Sequence, residues 1–169
     1  MKGWIALMVA LLLAGPAWAG DKQPGGELTD VFFTTSKIGY TVGKGGVVFR
    51  TADAGKTWEP QPTGVPIDLH SVYFTGTHIG WACGDNGLLL HTEDGGQTWT
   101  KQPLEGAGEV SDTLHRVVFI GPENGWICGD HGLLLHSEDA GKTWQVVPSA
   151  TRHDLQGMVW TDSLEGWIV

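Results

Sequence analysis

From residue 28 onward apolar residues recur in short runs, each closed by glycine or by a polar turn, and no ten-residue window there carries helical periodicity. The runs come in sets of four. LTDVFF (28–33), GYTVG (39–43), GVVFRT (46–51) and TWEPQ (57–61) make the first set. LHSVYF (69–74), GWACG (80–84), GLLLHT (87–92) and TWTKQ (98–102) repeat it, as do LHRVVF (114–119), GWICG (125–129), GLLLHS (132–137) and TWQVV (143–147). A fourth set starts with LQGMVW (155–160) and GWIV (166–169). The glycines opening the second runs, Gly39, Gly80, Gly125 and Gly166, are spaced by 41, 45 and 41 residues. Four strands per unit at a period of roughly 40–45 residues predicts the blades of a β-propeller. The repeats span about 28–62, 69–103, 114–148 and 155–169. Within each, Lys44-Gly45, Asp85-Asn86 and Asp130-His131 read as tight turns between second and third strands.

Between third and fourth strands stands one motif, [ST]-x-D-x-G-x-T-W, three times: Thr51, Asp53, Gly55, Thr57 and Trp58; Thr92, Asp94, Gly96, Thr98 and Trp99; Ser137, Asp139, Gly141, Thr143 and Trp144. A short carboxylate can turn back onto backbone N–H groups of a hairpin tip. Glycine two residues later accepts a positive φ, threonine re-enters extended structure, and tryptophan supplies apolar area beneath the turn. We therefore read the three aspartates as turn braces rather than as catalytic acids or calcium ligands.

With these motifs the chain resembles the Asp-box (BNR-type) β-propeller proteins, and within them the photosystem II assembly and stability factors. The resemblance covers residues 28–169 and implies an all-β propeller of four-stranded blades, generally seven in number. Three units and half of a fourth are thus an incomplete ring, and the sequence is expected to be part of a longer one. The resemblance also implies a non-enzymatic scaffold that binds protein partners, among them a membrane complex such as photosystem II. Those factors carry an arginine-rich partner face, whereas this chain has only Arg50, Arg116 and Arg152.

The N-terminus adds a compartment. A basic Lys2, an apolar run over 4–14 and Ala17-Trp18-Ala19 predict a secretory signal peptide over 1–19, followed by a flexible polar segment over 20–27. The run is shorter than the roughly twenty residues a spanning helix needs, and no later stretch is of membrane length. The expected location is the periplasm, the thylakoid lumen or the extracellular space. The formal net charge of −9 offers no basic face for nucleic acid or anionic lipid.

Few residues remain for chemistry. Cys83 and Cys128 hold equivalent places that Val42 and Val169 fill in the other units, the mark of a small buried apolar site, so two free thiols are expected in preference to a disulfide. His91 and His136, with Arg50 in their place in the first unit, are expected to bridge neighbouring hairpins. His70, His115 and Arg116 lie on first strands, nearest a propeller axis, and are the candidates for a central partner-binding site. Zinc needs three or four converging ligands, which this spacing does not offer, so no metal or cofactor is expected. The alternative is an exported Asp-box carbohydrate-binding or sialidase-like glycosidase. The three arginines fall in unrelated places, Tyr40 and Tyr73 lie inside strand patterns, and the tryptophans recur at core-like positions, so catalysis is not expected.

Overall fold

The structure is a computed structural model that describes residues 26–161 and 165–169. The expected signal peptide over 1–19 and nearly all of the expected flexible segment over 20–27 lie outside the described residues. Among the described residues, fourteen strands, β1 to β14, form three four-stranded antiparallel sheets and one two-stranded sheet. The first sheet is β1 (Leu28–Phe33), β2 (Gly39–Gly43), β3 (Val48–Thr51) and β4 (Glu59–Gln61). The second is β5 (Leu69–Phe74), β6 (Gly80–Gly84), β7 (Leu89–Thr92) and β8 (Thr100–Lys101). The third is β9 (Leu114–Ile120), β10 (Asn124–Gly129), β11 (Leu134–Ser137) and β12 (Gln145–Val146), and β13 (Met158–Trp160) pairs with β14 (Gly166–Ile168). Each sheet keeps its strands in sequence order, and β1, β5, β9 and β13 pack side by side. This is an arc of a propeller, with the first strand of each blade innermost.

The core lies between blades. Tyr40, Val42, Val48, Leu69, Val72, Phe74, Leu90 and Trp99 fill the first interface. Trp81, Cys83, Leu89, Leu114, Val117, Phe119, Ile127 and Trp144 fill the second, and Cys128, Leu134, Leu155 and Met158 the third. One aromatic arrangement recurs through all three. The second-strand aromatic of each blade packs on the last aromatic of the next blade's first strand: Tyr40 stacks on Phe74 at 3.9 Å between ring centroids and Trp81 on Phe119 at 4.0 Å, while Trp126 lies tilted against Trp160 at 4.9 Å. The receiving ring also meets its own box tryptophan edge-on, Phe74 against Trp99 and Phe119 against Trp144, as Phe33 meets Trp58.

That arrangement explains why the second strands open on glycine. The register places Gly39, Gly80, Gly125 and Gly166 opposite Phe33, Phe74, Phe119 and Trp160. Each ring lies flat over its glycine, and a Cβ there would meet ring atoms at 2.7, 2.5, 2.6 and 2.6 Å, inside contact distance.

Several expected boundaries shift. Gly46, Gly87 and Gly132 belong to the turns and not to the third strands. They have φ of 74°, 63° and 78°, directly after Gly45, Asn86 and His131 at 71°, 57° and 55°. Two successive left-handed residues reverse the chain tightly, and the following strand starts only at Val48, Leu89 or Leu134. The fourth strands keep only two or three residues, because their outer edge has no partner. The last unit's first strand begins at Met158 instead of 155. The expectation that the tryptophans sit at core-like positions also needs correction: Trp126 is half-buried, and Trp167 is 54 % exposed.

Alanine at Gly80 should destabilise the protein by about 1–3 kcal/mol, since an added methyl must displace the Phe74 ring from its stack. Alanine at Gly76, where a Cβ has nothing within 4 Å, serves as control and should leave the urea midpoint nearly unmoved.

Candidate functional site

The three Asp boxes have one geometry. Thr57 donates to Asp53 through its backbone N–H (2.9 Å to Oδ1) and its hydroxyl (2.7 Å to Oδ2), and Thr51 donates a third hydrogen bond at 2.8 Å. Thr98 and Thr92 hold Asp94 in the same way, and Thr143 and Ser137 hold Asp139. The glycine N–H bonds not to the aspartate but to the opening hydroxyl, Gly55 to Thr51, Gly96 to Thr92 and Gly141 to Ser137, each at 2.9 Å. Gly55, Gly96 and Gly141 have φ of 83°, 82° and 78°. The preceding Ala54, Gly95 or Ala140 donates its N–H to a carbonyl in the turn between first and second strands, locking the two turns at that end of the blade. The carboxylates are thus consumed by the turn. For Asp53 and Asp139 the threonine backbone N–H is the largest influence, and for Asp94 the threonine hydroxyl; all three carboxyls are held at about 2.

The inner strands carry a different chemistry. A β-bulge takes the second residue of each first strand out of the ladder, between Leu28 and Asp30, between Leu69 and Ser71, and between Leu114 and Arg116. Bulges re-aim side chains. Here His70 and His115 reach the turn after their own second strand, where His70 Nε2 lies 2.7 Å from Asp85 Oδ1 and His115 Nε2 lies 2.6 Å from Asp130 Oδ1. The two rings stand 5.8 Å apart across the blade boundary. Burial pushes the Asp130 carboxyl up, but hydrogen bonds from His115 and Thr113 outweigh it and leave the pKa lowered. His131 in the same turn bonds Asp112 at 2.8 Å, which raises its pKa.

The third residues of the first strands form a row: Asp30, Ser71, Arg116. Asp30 accepts from Val31 N–H and from Val72 N–H of the next blade, both at 3.0 Å, and Ser71 Oγ accepts from Val117 N–H at 3.4 Å. Arg116 Nη1 reaches past Ser71 to both Asp30 oxygens at 3.3 Å, joining the first and third blades. The structure therefore brings His70, His115 and Arg116 to one inner surface, together with Asp30, Asp85 and Asp130, which sequence reasoning missed. The signal for the histidine partners was present: the interval from His70 to Asp85 equals that from His115 to Asp130, 15 residues. Among the described residues, no three metal-ligating side chains converge.

The remaining candidates behave otherwise than as site residues. His91 and His136 do not bridge neighbouring hairpins. They lie across the strand pair from Trp81 and Trp126: His136 stacks on Trp126 at 4.0 Å between centroids, and His91 packs tilted against Trp81 at 5.0 Å, because that register places each imidazole beside an indole. Burial lowers the His91 pKa against the pull of Glu93. Cys83 and Cys128 are free and buried, each in a different inter-blade core. Burial pushes the Cys83 thiol well above its ordinary value and Cys128 up to about 12, which disfavours the thiolate at both. Among the described residues, no helix is long and apolar enough to cross a membrane.

Comparison with known proteins places this geometry. The family model described as Photosynthesis system II assembly factor YCF48 matches residues 20–105 and 64–158. The structure is similar to that of YCF48 bound to D1 peptide, with a TM-score of 0.69 and 26 % identity over 79 % of this chain and 43 % of that one. It is also similar to YCF48 from Cyanidioschyzon merolae, with a TM-score of 0.62 and 27 % identity over 73 % of this chain and 38 % of that one. The GH74 xyloglucanase from Xanthomonas campestris shares the fold, with a TM-score of 0.58 at 20 % identity over 73 % of this chain and 23 % of the enzyme. No curated protein matches. The chain thus spans about two fifths of the length of the YCF48 structures it resembles.

The boxes generate an acid-stability prediction. A carboxyl with a lower pKa folded than unfolded stabilises the fold while ionised. That contribution is complete above the ordinary value of 3.8 and is lost as pH falls toward about 2. Thermal melts should therefore show Tm falling steeply across that window, and Asp94→Asn should lower Tm at pH 7 by a few degrees while flattening the acid slope. An unchanged slope in the variant would show that the brace contributes nothing.

Proposed function

The chain belongs to the YCF48 photosynthesis system II assembly factor family, and on that premise we propose that it is a non-catalytic propeller module that binds a polypeptide segment of a membrane protein complex, photosystem II or one of like architecture. The observation that carries this reading is the similarity to a YCF48 structure bound to D1 peptide over most of this chain. The inner row supports it. His70, His115 and Arg116 are hydrogen-bonding side chains 26, 18 and 41 % exposed, fixed by carboxylates and by bulged strands. A peptide offers what such a row can use, carbonyl and amide groups at regular spacing. The large aromatics are by contrast committed to blade packing, which leaves Trp58, Trp81, Trp99 and Trp144 unavailable for stacking on sugar rings. The likeness to GH74 propellers, at 15 and 20 % identity, extends to the fold alone.

Export through the segment over 1–19 belongs to the same proposal. It would put the module on the lumenal, periplasmic or extracellular side, where it meets the exposed segments of a membrane complex.

The test is site-specific photocrosslinking in membranes of the source organism. A photoreactive residue at His70 or His115 should capture a subunit of a membrane complex, and Arg116→Ala should reduce that capture severalfold. The same residue at Lys101, on the outer strand, should capture little. Equal capture at Lys101, or hydrolysis of a β-glucan by the purified protein, would contradict the reading.

A further inference from the structure

The third positions of the first strands pass a hydrogen bond from blade to blade, until the pattern breaks. Asp30 accepts the Val72 N–H of the second blade, and Ser71 accepts the Val117 N–H of the third. Arg116 cannot continue the series, because a guanidinium has donors only. It turns back instead, over the small Ser71, to the Asp30 carboxylate 86 residues away in sequence. Only Nη1 is used in that contact, so Nε and Nη2 donate to no group among the described residues, and the side chain stays 41 % exposed. Asp30 is 13 % exposed and pinned by two backbone N–H groups, so its charge cannot move away from the guanidinium.

From this arrangement we propose that Asp30 is the positioning and specificity-determining residue of the axial site: it holds Arg116 in place and cancels its charge, so that the site takes uncharged hydrogen-bond acceptors such as peptide carbonyls and rejects carboxylates. The proposal rests on the reading of this row as the partner-binding site. Two fixed features support the selectivity. Among the described residues Arg116 Nε and Nη2 have no partner, which favours any acceptor, and Asp30 holds the same guanidinium through Nη1, where it repels a second anion. Asp85 and Asp130, in the turns where they pair with His70 and His115 of the first strands, add negative charge of the same sign. Removing the Asp30 charge should therefore convert the row into an anion site.

The test needs no partner, so its outcome is independent of whether the proposed partner exists. Phenylglyoxal modifies accessible guanidinium groups, and the rate at Arg116 is read by peptide mass spectrometry of the intact folded protein, with and without acetate as the probe anion. In the unsubstituted protein acetate should leave the Arg116 rate unchanged. In Asp30→Asn the rate without acetate should rise severalfold, and acetate should then slow it severalfold; Asp30→Glu should restore the original behaviour. Circular dichroism confirms that each variant is folded. Should Asp30→Asn not fold, the unsubstituted protein still decides, because protection of its Arg116 by acetate overturns the proposal. So does a folded Asp30→Asn whose Arg116 acetate fails to protect.

Discussion

The stack between one blade's second strand and the next blade's first strand holds this structure together. Tyr40–Phe74, Trp81–Phe119 and Trp126–Trp160 occupy the same place at three successive blade boundaries, the first two stacked and the third tilted, and little backbone hydrogen bonding crosses a blade boundary to assist them. A propeller sheet satisfies its ladder internally, so side chains must do the joining. An aromatic pair contributes about 0.5–1.5 kcal/mol beyond the area it buries. Other features follow from giving that pair room. The second strand opens on glycine because the ring needs the space, and the box tryptophan stands edge-on to the ring. Tyr40 extends further, and its hydroxyl donates to the Gly95 carbonyl at 2.8 Å, tying the first blade to the second box.

The two ends of each blade are specialised by the same geometry. At one end the Asp box and the turn between first and second strands lock together, and the carboxylate of each box aspartate is spent on the turn. At the other end the turns of left-handed residues and the first-strand bulges leave side chains free to pair across short distances. His70 with Asp85 and His115 with Asp130 arise there, as does the contact between Arg116 and Asp30. One end is built for rigidity, the inner row keeps partly exposed hydrogen-bonding side chains, and the packed rings fix the spacing between successive inner strands.

How much of this was legible in the sequence differs by scale. The blades were legible because each is local: four runs, three turns and a box within some forty residues. The box aspartates were legible as braces because the residues they bind lie within four positions. The inner partners were not. Asp85 and Asp130 needed the repeat of a 15-residue interval to be noticed, and Asp30 with Arg116 depends on strand register across three blades, which no local pattern records. The histidines at 91 and 136 misled for the same reason. Their neighbours are set by cross-strand register with Trp81 and Trp126, not by their place before the box.

The central claim is that stacked rings couple successive blades, and a double-mutant cycle on Trp81 and Phe119 tests it most directly. Trp81→Leu, Phe119→Leu and the double variant would be compared with the parent protein by urea unfolding. The account predicts a coupling of about 0.5–1.5 kcal/mol between the two positions. The same cycle on Trp58 and Trp144, box residues of non-adjacent blades, should be additive within about 0.5 kcal/mol. Additivity at Trp81 and Phe119 would contradict the account, since the rings would then be buried beside each other without joining the blades.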